Sequence, residues 1–168
     1  LRNEELGIDI PQMQFHARVD DLIDIAGFTR LTENVIWQAI ENTGLDYEDW
    51  SIRKEVHEKP ILHLYLELRG NEEHTPEEVA NSIHKELSKL DAPYADLETF
   101  IGLRPLEVTL LPPLTFKNYM LRQQAAGADL AHLKPPHVNL TDAMLDLLTR
   151  PPVEAPVASE ATDQKPVK

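Results

Sequence analysis

The chain has 168 residues, enough for one domain and a terminal extension, and 42% of them are apolar, enough for a packed core. Its formal net charge is −13, with 29 acidic and 16 basic residues, which argues against nucleic acid and anionic membranes as partners, since both need clustered Lys and Arg. Cysteine is absent, which excludes disulfides and thiolate chemistry.

The seven histidines are scattered and form no HExxH pair, so the sequence predicts no metal site. No apolar stretch approaches the length of a membrane span, and the composition suits a cytoplasmic protein. The chain starts at Leu1 rather than at a methionine, which favours a piece of a longer protein.

The first predicted elements are two short extended segments, residues 15–19 and 22–26, on either side of a polar turn. A helix over residues 33–43 follows. Thr32 is its expected N-cap, Glu33 suits the positive end of the helix dipole, and Gly44 ends it.

Two strands and a second helix come next. Apolar residues alternate with polar ones from 50 to 56 and again from 61 to 68, and the three residues between these stretches suit a hairpin. Thr75 and Glu78 then form a capping box, with Pro76 at the first helical position, and predict a helix that runs to residue 90.

The remaining pattern gives a short helix at 95–101, a strand near 105–111 and a helix from residue 115 that Gly127 ends. This order predicts an α+β, ferredoxin-like sandwich. We expect a mainly antiparallel sheet that includes the strand at 22–26, with the helices at 33–43 and 76–90 on one face, plus a C-terminal helix and a flexible tail. The tail is the Pro- and Ala-rich segment 151–168.

The residues alone show no complete active site. The six glycines are spread singly, so no phosphate-binding glycine loop is present, and there is neither a GxSxG motif nor a nucleophilic cysteine. Physical reasoning from the residues therefore ends at a soluble acidic α+β domain.

Two segments carry a family resemblance. The first is HARVDDLIDIAGFTRLTE, residues 16–33, which resembles the signature that opens the C-terminal domain of the acyl-adenylate-forming superfamily. Its matching residues are Arg18, Asp20, Asp21, Ile23, Gly27 and Glu33. In that superfamily the region is a hinge and a strand pair, and the whole C-terminal domain swings between two catalytic steps.

The second segment is LTFKNYMLRQQAAGADLAHLKPP, residues 114–136. It is similar to the C-terminal signature of the Gretchen Hagen three family of acyl-acid amido synthetases. Its matching residues are Thr115, Phe116, Gly127, Ala128, Lys134 and Pro135. Leu114 stands where the family usually has glycine, so we expect the start of this helix to differ.

The resemblance implies an ATP-dependent ligase. A carboxylic acid attacks the α-phosphorus of ATP, the C-terminal domain turns, and an amine, commonly an amino acid, takes the acyl group to form an amide. ATP and Mg would serve the full-length enzyme, and this chain alone would bind neither. The implied organisation is a hinge-side remnant of a missing N-terminal adenylation domain at 1–19, a mobile C-terminal domain, or lid, at 20–137, and an extension at 138–168, disordered from about 151.

The resemblance also implies roles for four residues. Lys134 matches the catalytic lysine of the lid, Arg30 and Arg18 match positions that contact nucleotide phosphate, and Asp20 matches the hinge. Each also has an ordinary structural interpretation. Lys134 could be a surface lysine before prolines, Arg30 a solvent-facing residue, and Arg18 and Asp20 a surface pair or a local turn.

Three other interpretations stay open at this point. The chain could be the lid of an acyl-CoA ligase, in which a thiol accepts the acyl group. It could also be a stand-alone ferredoxin-like regulatory or small-molecule-binding module, because many regulatory domains share this element order. A protein-interaction domain with a disordered acidic tail is the third possibility.

Overall fold

The computed structural model describes residues 2–3, 8–9, 22–25, 27–70 and 73–151. The expected hinge residue Asp20, the expected phosphate-binding Arg18, the extended segment 15–19 and the tail from residue 152 lie outside the described residues.

The described residues form seven strands and five helices. The strands are β1 (Arg2–Asn3), β2 (Ile8–Asp9), β3 (Leu22–Ile25), β4 (Thr29–Thr32), β5 (Tyr47–Val56), β6 (Pro60–Leu68) and β7 (Leu106–Leu111). The helices are α1 (Glu33–Asn42), α2 (Pro76–Leu90), α3 (Ala92–Ile101), α4 (Thr115–Ala125) and α5 (Asp142–Thr149). Most of the longer elements lie where the sequence predicts them, but the residue pattern does not predict β1, β2, β4 or α5.

The main sheet has three strands in the order β5-β6-β7. β5 and β6 are an antiparallel hairpin, while β6 and β7 pair in parallel because the helical connection through α2 and α3 brings the chain back in the same direction. β1–β2 and β3–β4 are separate antiparallel pairs. The α+β class with mainly antiparallel pairing is thus confirmed.

One strand has a different partner from the one expected. The sequence predicts the strand at 22–26 in the main sheet, but β3 pairs with β4 instead, with Asp24 opposite Arg30. The reason is local: Gly27 has φ +69°, and the Phe28 N–H donates to the Ile25 carbonyl at 2.9 Å. Such a tight turn closes a hairpin at little entropic cost, so the nearest segment becomes the partner.

Local capping explains where the first two helices begin. Thr32 Oγ1 accepts from the Val35 N–H at 3.2 Å at the start of α1, and the Thr75–Glu78 capping box is complete at the start of α2. Both caps were predicted from the sequence and are confirmed, because each depends only on residues three positions apart.

Two apolar clusters lie on the two faces of the main sheet. Leu62, Leu64 and Leu66 are fully buried against a cluster that includes α1, α2 and α3. Tyr65, which points the other way from β6, packs in a second cluster with residues of α4 and α5. Helices α1 and α2 therefore share one face as expected, and the other face is covered by helices that include the unpredicted α5.

Candidate functional site

Lys134 lies in a loop that is docked along the free edge of β5. The Ile52 N–H donates to the His137 carbonyl at 2.7 Å, and Ser51 Oγ donates to the Pro136 carbonyl at 3.0 Å. Val138 continues this contact as a parallel bridge to Ile52 and is buried. The loop is thus held on buried residues of β5 by one backbone and one side-chain hydrogen bond, even though Lys134 itself is mostly exposed.

Four charged side chains form a chain of contacts at this edge, which we call the Lys134 cluster. Lys134 Nζ lies 3.1 Å from Asp49 Oδ2, and His137 Nε2 lies 2.9 Å from Asp49 Oδ1. His137 Nδ1 in turn lies 2.6 Å from Glu33 Oε1. The cluster therefore alternates in sign from Glu33 at the start of α1 to the lysine in the loop.

The inner members of the cluster are fixed by the buried core. Asp49 Oδ1 also accepts from the Trp50 backbone N–H at 3.0 Å, and the imidazole of His137 stacks on the indole of Trp50 with centroids 4.6 Å apart. Trp50 is 1% exposed, so it offers a rigid platform. A register shift in the β5–β6 ladder between Tyr47 and Asp49 marks a bulge, a device that redirects a side chain.

The protonation states follow from these contacts. Both ring nitrogens of His137 face carboxylate oxygens, so both donate only when the imidazole is protonated. Its hydrogen bond to Asp49 raises the pKa of His137, burial opposes this, and Glu33 adds to the rise. Burial alone would raise the pKa of Asp49, but hydrogen bonds from His137, the Trp50 N–H and Lys134 hold it below its usual value.

Arg30 lies elsewhere, on β4. Its Nε lies 3.3 Å from Asp24 Oδ2, and the two side chains are 75% and 43% exposed. Asp24 also accepts from the Gly27 N–H at 2.7 Å, and this hydrogen bond, with a further contribution from Arg30, lowers the pKa of Asp24. Arg30 is therefore paired on the hairpin surface, and its partner is not a member of the Lys134 cluster.

Sequence reasoning missed Asp49 and His137 as parts of the site. Asp49 is 85 residues from Lys134 and 88 from His137, and neither lies in a recognisable motif. The only signal was Glu33, which was noted as a helix-start residue and a signature match. The contacts between these residues arise because the loop adds to the β5 edge.

The described residues contain neither a metal-ligand cluster nor a membrane-spanning helix. Within 22–25, 27–70, 73–151 and the two short N-terminal strands, no group of three or more His, Asp or Glu side chains could hold a metal ion. In the same part of the chain, no helix combines the length and the apolar character needed to cross a bilayer.

A match to a protein-family model shows which family the chain belongs to. The GH3 family C-terminal domain matches residues 31–142 of this chain, which is more than half of it. The chain belongs to this family. The matched range contains all four members of the Lys134 cluster, whereas Arg30, Arg18 and Asp20 precede it.

Two solved structures of GH3 proteins share the fold of this GH3 C-terminal domain. AtGH3.15 acyl acid amido synthetase in complex with 2,4-DB superimposes with a TM-score of 0.59 at 14% identity, over 76% of this chain and 25% of that one. GH3.15 acyl acid amido synthetase superimposes with a TM-score of 0.61 at 19% identity, over 75% and 25%. The matched part is thus about a quarter of each synthetase. No curated protein sequence matches the chain.

Proposed function

We propose that this GH3 C-terminal domain is the mobile lid of an ATP-dependent ligase that adenylates a carboxylic acid and transfers the acyl group to an amine, such as an amino acid, to form an amide. Family membership supports the proposal, together with a shared fold with two acyl acid amido synthetases. Its partner would be an N-terminal adenylation domain of the same chain. ATP and a magnesium ion would serve the full-length enzyme, and this chain alone would bind neither.

The observation that carries the proposal is the position of Lys134. Its side chain is 66% exposed, yet its loop is docked on β5 and its ammonium is held by Asp49, which is 12% exposed. A cation that is both ordered and accessible can be presented to a surface that closes over it. In the adenylation step negative charge develops on phosphate oxygens, and a preorganised ammonium stabilises such charge.

Arg30 is proposed as a second phosphate contact. Its guanidinium is 75% exposed on β4 and is held only by a surface pair with Asp24, so a phosphate could replace that partner at little cost. A guanidinium can also contact phosphate through two parallel hydrogen bonds. Phosphate binding by Arg18 and the hinge role of Asp20 stay predictions from the sequence.

The domain alone is expected to be inactive. Its net charge of −13 repels nucleotide phosphates, and it has no glycine-rich phosphate loop. We therefore expect the purified 168-residue chain to release no pyrophosphate from ATP above a buffer control. Release that depends on an added carboxylic acid would contradict this.

The main test is Lys134→Ala in the full-length enzyme, with each half-reaction measured in a single turnover. Acyl-adenylate formation should slow by about a hundredfold, the scale found when one preorganised charge donor is removed. Amide formation from preformed acyl-adenylate should change much less, because the lid has then turned and Lys134 has left the phosphates.

Lys89→Ala is a matched control for this test. Lys89 is also an exposed lysine in an ion pair, with Glu86 at 2.6 Å, but it lies on α2. This variant should leave both half-reactions unchanged. A full adenylation rate in Lys134→Ala would remove Lys134 from the mechanism, and equal losses in both half-reactions would indicate a general defect.

A further inference from the structure

We propose that Asp49 is a positioning residue that orients the ammonium of Lys134 for the adenylation step, and that His137 holds Asp49 in place. This inference rests on the proposed function of Lys134 and adds two residues to it. Neither would touch the substrate; each would act through the lysine.

The first argument is the contrast in mobility between the two partners. A lysine side chain has four rotatable bonds, and with 66% of it exposed Lys134 has little packing of its own. Asp49 is 12% exposed and is tied to the Trp50 N–H at 3.0 Å and to His137 at 2.9 Å. The Asp49 carboxylate therefore holds the ammonium of Lys134 in one orientation. Because of this, the lysine side chain loses less rotamer freedom when a phosphate binds.

The second argument is the number of hydrogen-bond donors. The ammonium of Lys134 has three N–H groups, and its contact with Asp49 Oδ2 at 3.1 Å uses one of them. Two donors remain for phosphate oxygens. Asp49 can therefore stay bound to the lysine while Lys134 acts, so orientation and phosphate contact do not compete for the same donor.

The third argument concerns charge. A carboxylate next to the catalytic ammonium would normally cancel much of its attraction for phosphate. Here Asp49 is shared between two cations, because the imidazolium of His137 binds its other oxygen at 2.9 Å. Glu33, the remaining carboxylate, lies on the far side of His137, in the first turn of α1, where the helix dipole favours a negative charge. Because its charge is shared with His137, Asp49 offsets only part of the attraction of Lys134 for phosphate.

The experiment uses Asp49→Asn in the full-length enzyme, which preserves the size of the side chain and an acceptor for the Trp50 N–H. Adenylation in a single turnover should slow by about tenfold, less than the hundredfold that a 1 Å displacement at a reacting centre can cost. Amide formation from preformed acyl-adenylate should not change. In the Lys134→Ala background the same substitution should have no further effect, because Asp49 acts only through the lysine.

His137→Gln is the second variant, and it tests the same positioning role if Asp49→Asn fails to fold. It keeps Asp49 and Lys134 but removes the positive charge, and it should also slow adenylation several-fold without affecting amide formation. Glu48→Gln is the matched control: this neighbouring carboxylate pairs with Arg69 at 2.8 Å, and its loss should leave both half-reactions unchanged.

The outcomes separate this inference from the proposed function. If Lys134→Ala slows adenylation but Asp49→Asn and His137→Gln do not, the positioning role is wrong and the proposed function stands. Faster adenylation in Asp49→Asn would show that Asp49 competes with phosphate for the lysine, and would also overturn it. A further loss of rate in the Lys134→Ala background would show that Asp49 acts by another route. If Lys134→Ala itself is without effect, Lys134 is not part of the mechanism, and the positioning role of Asp49 is overturned with it.

Discussion

The backbone N–H of Leu114 donates to Oε1 of Glu67 at 2.5 Å, although the two residues are 47 positions apart. The Phe116 N–H donates to the other oxygen of the same carboxylate at 2.9 Å. Glu67 is 3% exposed on β6, while Leu114, at the N-cap of α4, makes no side-chain capping bond. The carboxylate of Glu67, on a strand of the main sheet, therefore caps the first turn of α4, which has no side-chain cap of its own.

Leu114→Gly is expected to stabilise the chain. Leu114 has φ +68° and ψ 13°, a left-handed conformation that costs a residue with a Cβ about 1–2 kcal/mol and costs glycine almost nothing. Its side chain is 56% exposed, so little packing is lost. The free energy of unfolding of the 168-residue chain in urea should rise by about 1 kcal/mol. Leu114→Ala, which keeps the Cβ, should not be stabilising, and equal effects of the two variants would exclude relief of strain.

Glu67→Gln is expected to be destabilising. The amide keeps one acceptor oxygen but turns an –NH₂ donor toward one of the two backbone N–H groups, and it removes the negative charge at the start of α4. Loss of a buried charged hydrogen bond costs about 2 kcal/mol, which urea denaturation would measure. Glu107→Gln on β7, at an exposed position, is the control and should change stability by less than about 0.5 kcal/mol.

The Lys134 cluster makes stability depend on pH in two directions. The pKa of His137 is raised from 6.5 by Asp49 and Glu33. Its contribution to the free energy of unfolding is therefore complete below pH 6.5 and is lost as pH rises through the folded-state pKa. The pKa of Asp49 is lowered from 3.8. Its contribution to the free energy of unfolding is therefore present above pH 3.8 and is lost as pH falls through the folded-state pKa. The cluster should therefore contribute most between these two values.

The measurement is the urea midpoint as a function of pH for the wild type and two variants. His137→Gln should remove the part of the alkaline decline that starts above pH 6.5. Asp49→Asn should reduce the acid decline below pH 3.8. A wild-type profile that runs parallel to that of His137→Gln above pH 6.5 would contradict the charged state of His137.

Leu148→Ala tests whether α5 is an integral part of the domain. Leu148 is 1% exposed in the second apolar cluster, and α5 is also tied to the rest of the chain by Arg53, whose Nη1 lies 2.6 Å from Asp142 Oδ1. Truncation of a buried leucine costs about 3 kcal/mol. Leu130→Ala, at a site that is 89% exposed, should have almost no effect on thermal unfolding. Similar small losses in both variants would show that α5 is dispensable.

Features that depend on neighbours along the chain could be predicted from the sequence. The capping box of Thr75 and Glu78, the Thr32 cap and the alternation along β6 all follow from spacings of two or three residues, and the structure confirms them. The two signature segments also predicted the family from short-range patterns, and the family comparison confirms that prediction.

Contacts between groups that are far apart along the chain follow from how the elements pack. Asp49 reaches Lys134 across 85 residues because the loop after α4 adds to the edge of β5, and Glu67 caps α4 across 47 residues because the strand and the helix share a face. The strand at 22–26 paired with β4 because closure of a hairpin costs less entropy than a place in the main sheet. Spacing along the chain fixes local hydrogen bonds, but contacts between distant residues depend on how whole elements pack, which no short motif specifies.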